Sequence, residues 1–280
     1  MALLPWKAVL AAAAFTGPAM ADCTGASGPC VIASGTYNIK LPDHNNAKTP
    51  IVIFLHGYGG SGKATVGNKR IAGPILKRGY ALIAPNAIKR KDARASSWNF
   101  HPNFNRGRDE AAFFKAVIDD AVKKFNLDPK NILLAGFSVG GSMVSYIACN
   151  NPTEFAAFAP VSGSFWRPHP TSCKTPVKLF HTHGWADKVV PLEGRKINNN
   201  FIQGDVFYAL DLWRETNLCA QPRPEKISAK GVFMRRKWEG CALNSALEFA
   251  LFPGGHTVPK GWANMILNWY EQLPDKTVRN

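Results

Sequence analysis

Short apolar runs alternate along the chain with stretches whose apolar positions recur at helical spacing. Residues 51–55, 80–84, 132–135, 158–161, 177–181 and 247–252 are brief, apolar and bounded by turn residues, which predicts strands. Between them, Phe114, Val117, Ile118, Ala121, Val122 and Phe125 recur at 3.6-residue spacing behind Asp109, a residue type that caps helices. Trp262, Met265, Ile266, Trp269, Tyr270 and Leu273 give a last helix its apolar face. Strand and helix in alternation predict an α/β fold whose mostly parallel central sheet is covered by helices on both faces. No repeat, low-complexity run or linker interrupts this pattern, so a single domain is expected. Chemistry on such a sheet gathers at the C-terminal ends of the strands.

Gly136-Phe137-Ser138-Val139-Gly140 falls at one of these ends, where an apolar run passes into a helical pattern. GxSxG in that setting is a nucleophile elbow, and its glycines are needed where a Cβ would collide with a neighbouring strand or helix. A serine nucleophile needs a base, an acid and an oxyanion hole. Asp187 follows the run at 177–181 in His183-Gly184-Trp185-Ala186-Asp187 and is the candidate acid, with a turn-forming role as the alternative. His256 follows the run at 247–252 in Pro253-Gly254-Gly255-His256 and is the candidate base. The order Ser138, Asp187, His256 is that of the α/β-hydrolases. His56-Gly57-Tyr58-Gly59-Gly60, after the strand at 51–55, offers the Tyr58 N–H beside the Val139 N–H as the oxyanion hole. His56 is expected to hold that loop by hydrogen bonding. Gly57, Tyr58, Trp98 and Trp185 are the candidate substrate-binding residues, although Trp98 and Trp166 also fit core or cleft-wall positions.

Two other patterns compete. Gly57 to Lys63 nearly writes a phosphate-binding loop, but Ala64 stands where such a loop needs Ser or Thr for Mg²⁺. His181-Thr182-His183 puts two imidazoles on one strand face, too few for a metal site, and is expected to brace the Asp187 loop; no metal or cofactor is expected.

The N-terminus, with Lys7 ahead of an apolar stretch and Ala19-Met20-Ala21 as a cleavage site, reads as a signal peptide over residues 1–21, leaving 22–280 as the catalytic domain in a secreted or periplasmic location. Asp22 before Cys23 argues against lipidation, and the apolar stretch is too short to span a bilayer. Six cysteines in an exported chain suggest three disulfides. Pairing of sequence neighbours is expected: Cys23 with Cys30, Cys149 with Cys173, and Cys219 with Cys241. The formal charge of +15 marks a basic surface, with clusters at Lys89-Arg90-Lys91 with Arg94 and at Arg235-Arg236-Lys237. Export argues against a nucleic-acid partner. A solvated basic face with weak attraction to anionic surfaces fits better.

HGYGG, Arg78-Gly79-Tyr80 running to Ala84-Pro85, Ser97-Trp98-Asn99-Phe100, GFSVGG, HGWADKVVP and GGH occur in a fixed order. Together they resemble the polyhydroxybutyrate depolymerase and feruloyl esterase group of secreted serine esterases, over residues 35–270. The resemblance implies an α/β-hydrolase fold, hydrolysis of hydroxyalkanoate oligomers or hydroxycinnamoyl esters, Ser138 as nucleophile, Asp187 as acid, His256 as base, and an oxyanion loop at Gly57 and Tyr58. Where that group often carries a tryptophan two residues after the base, this chain has Val258. The rival readings are a peptidase on the same fold and a catalytically silent binding protein.

Overall fold

All six runs that read as strands lie side by side in one sheet. The computed structural model describes residue 23 and residues 28–43, 48–89, 95–101, 103, 107–220 and 227–274. The expected signal peptide therefore lies outside the described residues, as do Arg90, Lys91 and Arg94 of the first basic cluster. In chain order the first elements are β1 (Cys30–Ile32), β2 (Gly35–Lys40), β3 (Thr49–Leu55), α1 (Gly62–Gly67), α2 (Lys69–Lys77) and β4 (Ala81–Pro85). The middle holds α3 (Glu110–Phe125), β5 (Leu127–Phe137), α4 (Val139–Asn150), β6 (Ala157–Val161), β7 (Trp166–Arg167) and β8 (Lys178–Gly184). The chain continues through β9 (Ile202–Gln203), α5 (Val206–Thr216), β10 (Ile227–Lys230), β11 (Phe233–Trp238), β12 (Ala246–Phe252) and α6 (Trp262–Glu271).

Hydrogen bonding orders the main sheet β1-β2-β4-β3-β5-β6-β8-β12-β11-β10. Its middle, β4-β3-β5-β6-β8-β12, is parallel throughout. Antiparallel pairs close the two flanks, β1 and β2 on one side and β11 and β10 on the other. These flanking strands lack the apolar signature: β11, between β12 and β10, reads Phe233-Met234-Arg235-Arg236-Lys237-Trp238, polar because its middle residues are exposed or half-exposed. β7 and β9 form a small separate ladder.

Parallel strands buried on both faces must be apolar at every position, and their alternate residues feed two cores. Ile51, Ile53 and Leu55 of β3 join Phe113, Phe114 and Val117 of α3, Val144 and Ile147 of α4, and Trp213 of α5. Val52 and Phe54 point the other way, into a core shared with Ile71 and Ile75 of α2 and with Trp262, Ile266, Trp269 and Tyr270 of α6. The Asp109 side chain accepts from the Ala112 N–H at 3.1 Å, so the expected cap is made. Three disulfides join the cysteines as expected, Cys23 to Cys30, Cys149 to Cys173 and Cys219 to Cys241. No helix among the described residues is long and apolar enough to cross a membrane.

In the second basic cluster Arg236 and Lys237 are exposed, as expected of a solvated face, and Arg235 is half-buried. Arg235 binds Glu248 of β12 at 2.5 Å and lies 5.0 Å from the centre of the Phe180 ring. Arg236 covers Trp238 at 4.6 Å. The ion pair takes Arg235 out of the basic face, while Arg236 and Lys237 keep their charge toward solvent.

Candidate active site

Ser138 sits at the junction of β5 and α4 with φ 59° and ψ −124°, a backbone state that costs a non-glycine residue ~1–3 kcal/mol. Close packing holds it there. A Cβ on Gly136 would meet the Gly140 carbonyl oxygen at 2.5 Å, and one on Gly140 would meet the Leu55 carbonyl oxygen at 2.3 Å, so both flanking positions must be glycine. The Ser138 N–H donates to the Val161 carbonyl at 2.9 Å, which ties the turn to the end of β6.

His256, in the loop after β12, faces the serine. Its Nε2 accepts from the Ser138 hydroxyl at 2.8 Å, and its Nδ1–H donates to Asp187 Oδ2, also at 2.8 Å. The Phe137 ring packs on the imidazole with 4.7 Å between centroids. The two Asp187 oxygens divide their work. Oδ2 takes His256, while Oδ1 accepts the backbone N–H groups of Val189 at 2.9 Å and Val190 at 2.8 Å. The turn-forming role and the partnership with histidine, alternatives in the sequence, are both realised here. Burial pushes the Asp187 carboxyl up, but the His256 and Val190 hydrogen bonds, the histidine's charge and the Val189 bond outweigh it and leave its pKa lowered.

A chain of imidazoles braces the acid loop. The His183 Nε2–H donates to the Val190 carbonyl at 2.8 Å and lies 3.6 Å from Asp187 Oδ2. His183 Nδ1 in turn accepts from the His181 Nε2–H at 3.0 Å. This is the structural use expected of the His181-Thr182-His183 run. Burial drives the His181 pKa well below the ordinary value, helped by the neighbouring His183, and burial also lowers that of His183 against the pull of Val190 and Asp187.

The loop after β3 runs close over the elbow: a Cβ on Gly57 would lie 3.3 Å from Ser138 Cβ. Gly57 to Gly60 forms a turn closed by the Gly60 N–H on the Gly57 carbonyl at 3.0 Å, and Gly59 supplies the positive φ of 70° that the turn requires. The same carbonyl accepts the His56 Nδ1–H at 2.8 Å, while His56 Nε2 accepts the Ala87 N–H at 3.1 Å. Burial lowers the His56 pKa, which keeps the ring in the neutral form that this pair of bonds demands. In a trans peptide the carbonyl and the following N–H point to opposite edges. Fixing the Gly57 oxygen inward therefore aims the Tyr58 N–H outward. The Val139 N–H, at the first position of α4, has no acceptor within its own helix.

The expected substrate contacts divide. Tyr58 and Trp185 are exposed, at 59% and 64%, and Gly57 lines a cavity of about 250 Å³ with Phe137, Val258 and Arg70. Trp98 is corrected: it is fully buried, donates its indole N–H to the His56 carbonyl at 2.8 Å and packs against His56 and Phe114. It supports the Gly57 loop from beneath and does not reach a substrate, because its one polar atom is bound inside the protein. Trp166 is likewise buried, against Phe100 and Phe201. Beneath this loop lies a pair the sequence did not single out. Buried Glu110 binds Arg108 at 2.7 Å and accepts the Asn99 N–H at 3.1 Å, and Arg108 donates to the Asn86 carbonyl at 3.2 Å. Neither residue stands in a motif, so only contact across the loops reveals it.

A strained serine at a strand-to-helix turn, facing a histidine from the loop after β12 and an aspartate from the loop after β8, the strand beside it in the sheet, defines the α/β-hydrolase fold class. The profile of the phospholipase/carboxylesterase family matches residues 38–206, and the chain belongs to that family and is a carboxylic ester hydrolase. The match spans Ser138 and Asp187 and stops short of His256. Among curated proteins, the probable feruloyl esterase C of Aspergillus clavatus is 26% identical over 90% of this chain and 89% of its own length. The feruloyl esterase C of Emericella nidulans is 25% identical over 91% and 90%. Among solved structures, the acetyl xylan esterase from Aspergillus awamori shares the fold with a TM-score of 0.65 at 16% identity, covering 84% of this chain and 93% of its own. The Bacillus cereus carboxylesterase does so at 0.57 and 12%, covering 86% and 95%.

Proposed function

We propose that this protein is an exported serine esterase of hydroxycinnamoyl-type esters, with Ser138, His256 and Asp187 as its catalytic triad. The observation that carries the reading is the unbroken chain from Ser138 Oγ through His256 to Asp187, with 2.8 Å at each link. In the first step His256 Nε2 takes the hydroxyl proton while Ser138 Oγ bonds to the ester carbonyl carbon. Asp187 stabilises the imidazolium. The negative charge on the carbonyl oxygen falls between the Tyr58 and Val139 N–H groups, donors fixed before the substrate arrives. Collapse expels the alcohol, which leaves with the proton from His256, and water then reverses the sequence on the acyl-enzyme. Exposed Tyr58 and Trp185 offer aromatic faces beside the reacting centre, which suits an aryl-bearing substrate. The names of the two feruloyl esterase relatives support that acyl class. Three disulfides together with the N-terminal pattern support export of the chain from residue 22.

A fluorophosphonate probe is expected to label Ser138, and Ser138→Ala to lower ester turnover by about 10⁴- to 10⁶-fold. Undiminished labelling or turnover in that variant refutes the mechanism. A panel of methyl ferulate, p-nitrophenyl butyrate, 3-hydroxybutyrate dimers and a peptide p-nitroanilide tests the substrate. Preference for ferulate is expected. Preference for the hydroxybutyrate dimers moves the substrate class, and preference for the anilide overturns the esterase reading.

A further inference from the structure

A cavity of about 740 Å³ opens between the β10–β11 hairpin, the loop that leaves β12 and the start of α6. That volume lies within the ~300–1,000 Å³ typical of small-molecule sites. Phe233, Phe252 and Met265 supply apolar walls, and Val232 at the hairpin tip, 54% exposed, adds an apolar side chain to the lining. The charged side chains lining it are Lys230, Arg235 and Lys260, and no described aspartate or glutamate joins them. Glu248 already neutralises Arg235, which leaves the two exposed lysines as the charge facing an occupant. Ser138 is not part of this wall. The cavity shares with the active site only the loop that carries His256, through Pro253, Gly254, Thr257 and Pro259.

We propose that this cavity is a second binding site, separate from the catalytic cleft, for an apolar monocarboxylate. The aryl or alkyl body packs against Phe233, Phe252 and Met265, and the carboxylate is met by Lys230 and Lys260. Charge chooses the acid over a neutral molecule of the same shape, since a neutral one buries the same apolar surface and gains from the lysines a hydrogen bond without the opposite charge. Ester hydrolysis releases molecules of this chemistry, so the site fits the acid product better than the ester.

Calorimetric titration of the full chain with octanoate, cinnamate, octanol and cinnamyl alcohol tests this without turnover, so its outcome is independent of the triad reading. At least one acid is expected to bind one-to-one and about tenfold more tightly than its alcohol, a difference of ~1.4 kcal/mol. Prior phosphonylation of the catalytic serine is expected to leave that binding intact. Val232→Asp and the double variant Lys230→Glu/Lys260→Glu are each expected to weaken it by about tenfold or more, with turnover of p-nitrophenyl butyrate within about twofold of wild type. The charge variants alter only exposed side chains and guard against a folding failure of the first. Absence of binding by both acids at millimolar concentration, equal binding of acid and alcohol, loss of binding on phosphonylation, or unchanged binding in the variants each overturns the proposal.

Discussion

Two loops leave the C-terminal ends of parallel strands toward Ser138, and each is locked by a buried neutral histidine, yet the locks differ. The loop after β3 presents a dipole, the Tyr58 N–H. One imidazole suffices there: His56 donates to the Gly57 carbonyl at 2.8 Å and accepts from Ala87 at 3.1 Å. The loop after β8 presents a charge, the Asp187 carboxylate, whose side chain is fully buried. It draws on two backbone N–H groups, on His256, and on His183 backed by His181. A dipole needs only a fixed peptide plane, whereas a buried charge needs enough donors to replace its lost water. The first lock governs direction and the second governs charge.

Asp187→Asn is the severest way to break this contrast. It keeps the size of the side chain but removes the charge and the acceptor that fixes the His256 tautomer, so kcat is expected to fall by about 10⁴-fold with the fold retained. Steady-state kinetics with circular dichroism checks it. If Asp205→Asn, which removes only the charge of the α5 N-cap and keeps its acceptor oxygen, costs as much, the acid is misassigned.

His56→Phe leaves the Gly57 carbonyl and the Ala87 N–H without their shared partner. A kcat loss of about 10²-fold is expected, the size of losing one oxyanion donor, with KM nearly unchanged. A loss confined to KM would show that the Gly57–Tyr58 peptide does not depend on this ring.

His183→Phe is expected to act first on stability, by ~1–3 kcal/mol, since the Val190 carbonyl and the His181 N–H lose partners inside the core. Urea midpoints measure it. A stable His183→Phe protein with the His56→Phe kinetic defect would erase the distinction between the two locks.

Acid should loosen the second lock through the same histidines. His181 and His183 have lowered pKa values in the fold, so below about pH 6.5 the unfolded chain binds protons that the folded chain does not. Stability is therefore complete above that value and falls as the pH drops, by at most ~1.4 kcal/mol per histidine per pH unit. Asp187, also lowered, adds a loss of the same sign further into acid. Urea midpoints that stay level or rise from pH 7.5 to 5 would contradict this.

The sequence by itself determined the six inner strands, the helices at 110–125 and 262–271, the elbow at Ser138 and the placing of Asp187 and His256 in loops that leave strands, because each is written in local periodicity or a short motif. It also indicated that His56 and the His181, His183 pair serve as braces. The tertiary structure decided which atoms they brace. His56 reaches Ala87 across 31 residues and Trp98 reaches His56 across 42, and no local pattern specifies such pairings. For the same reason Trp98, read in the sequence as a core or cleft-wall aromatic and as a candidate substrate contact, was settled only by what folds over it. The antiparallel flanking strands β1, β2, β10 and β11 were illegible for the opposite cause: a strand with one wet face need not be apolar, and its place is set by the neighbour it pairs with.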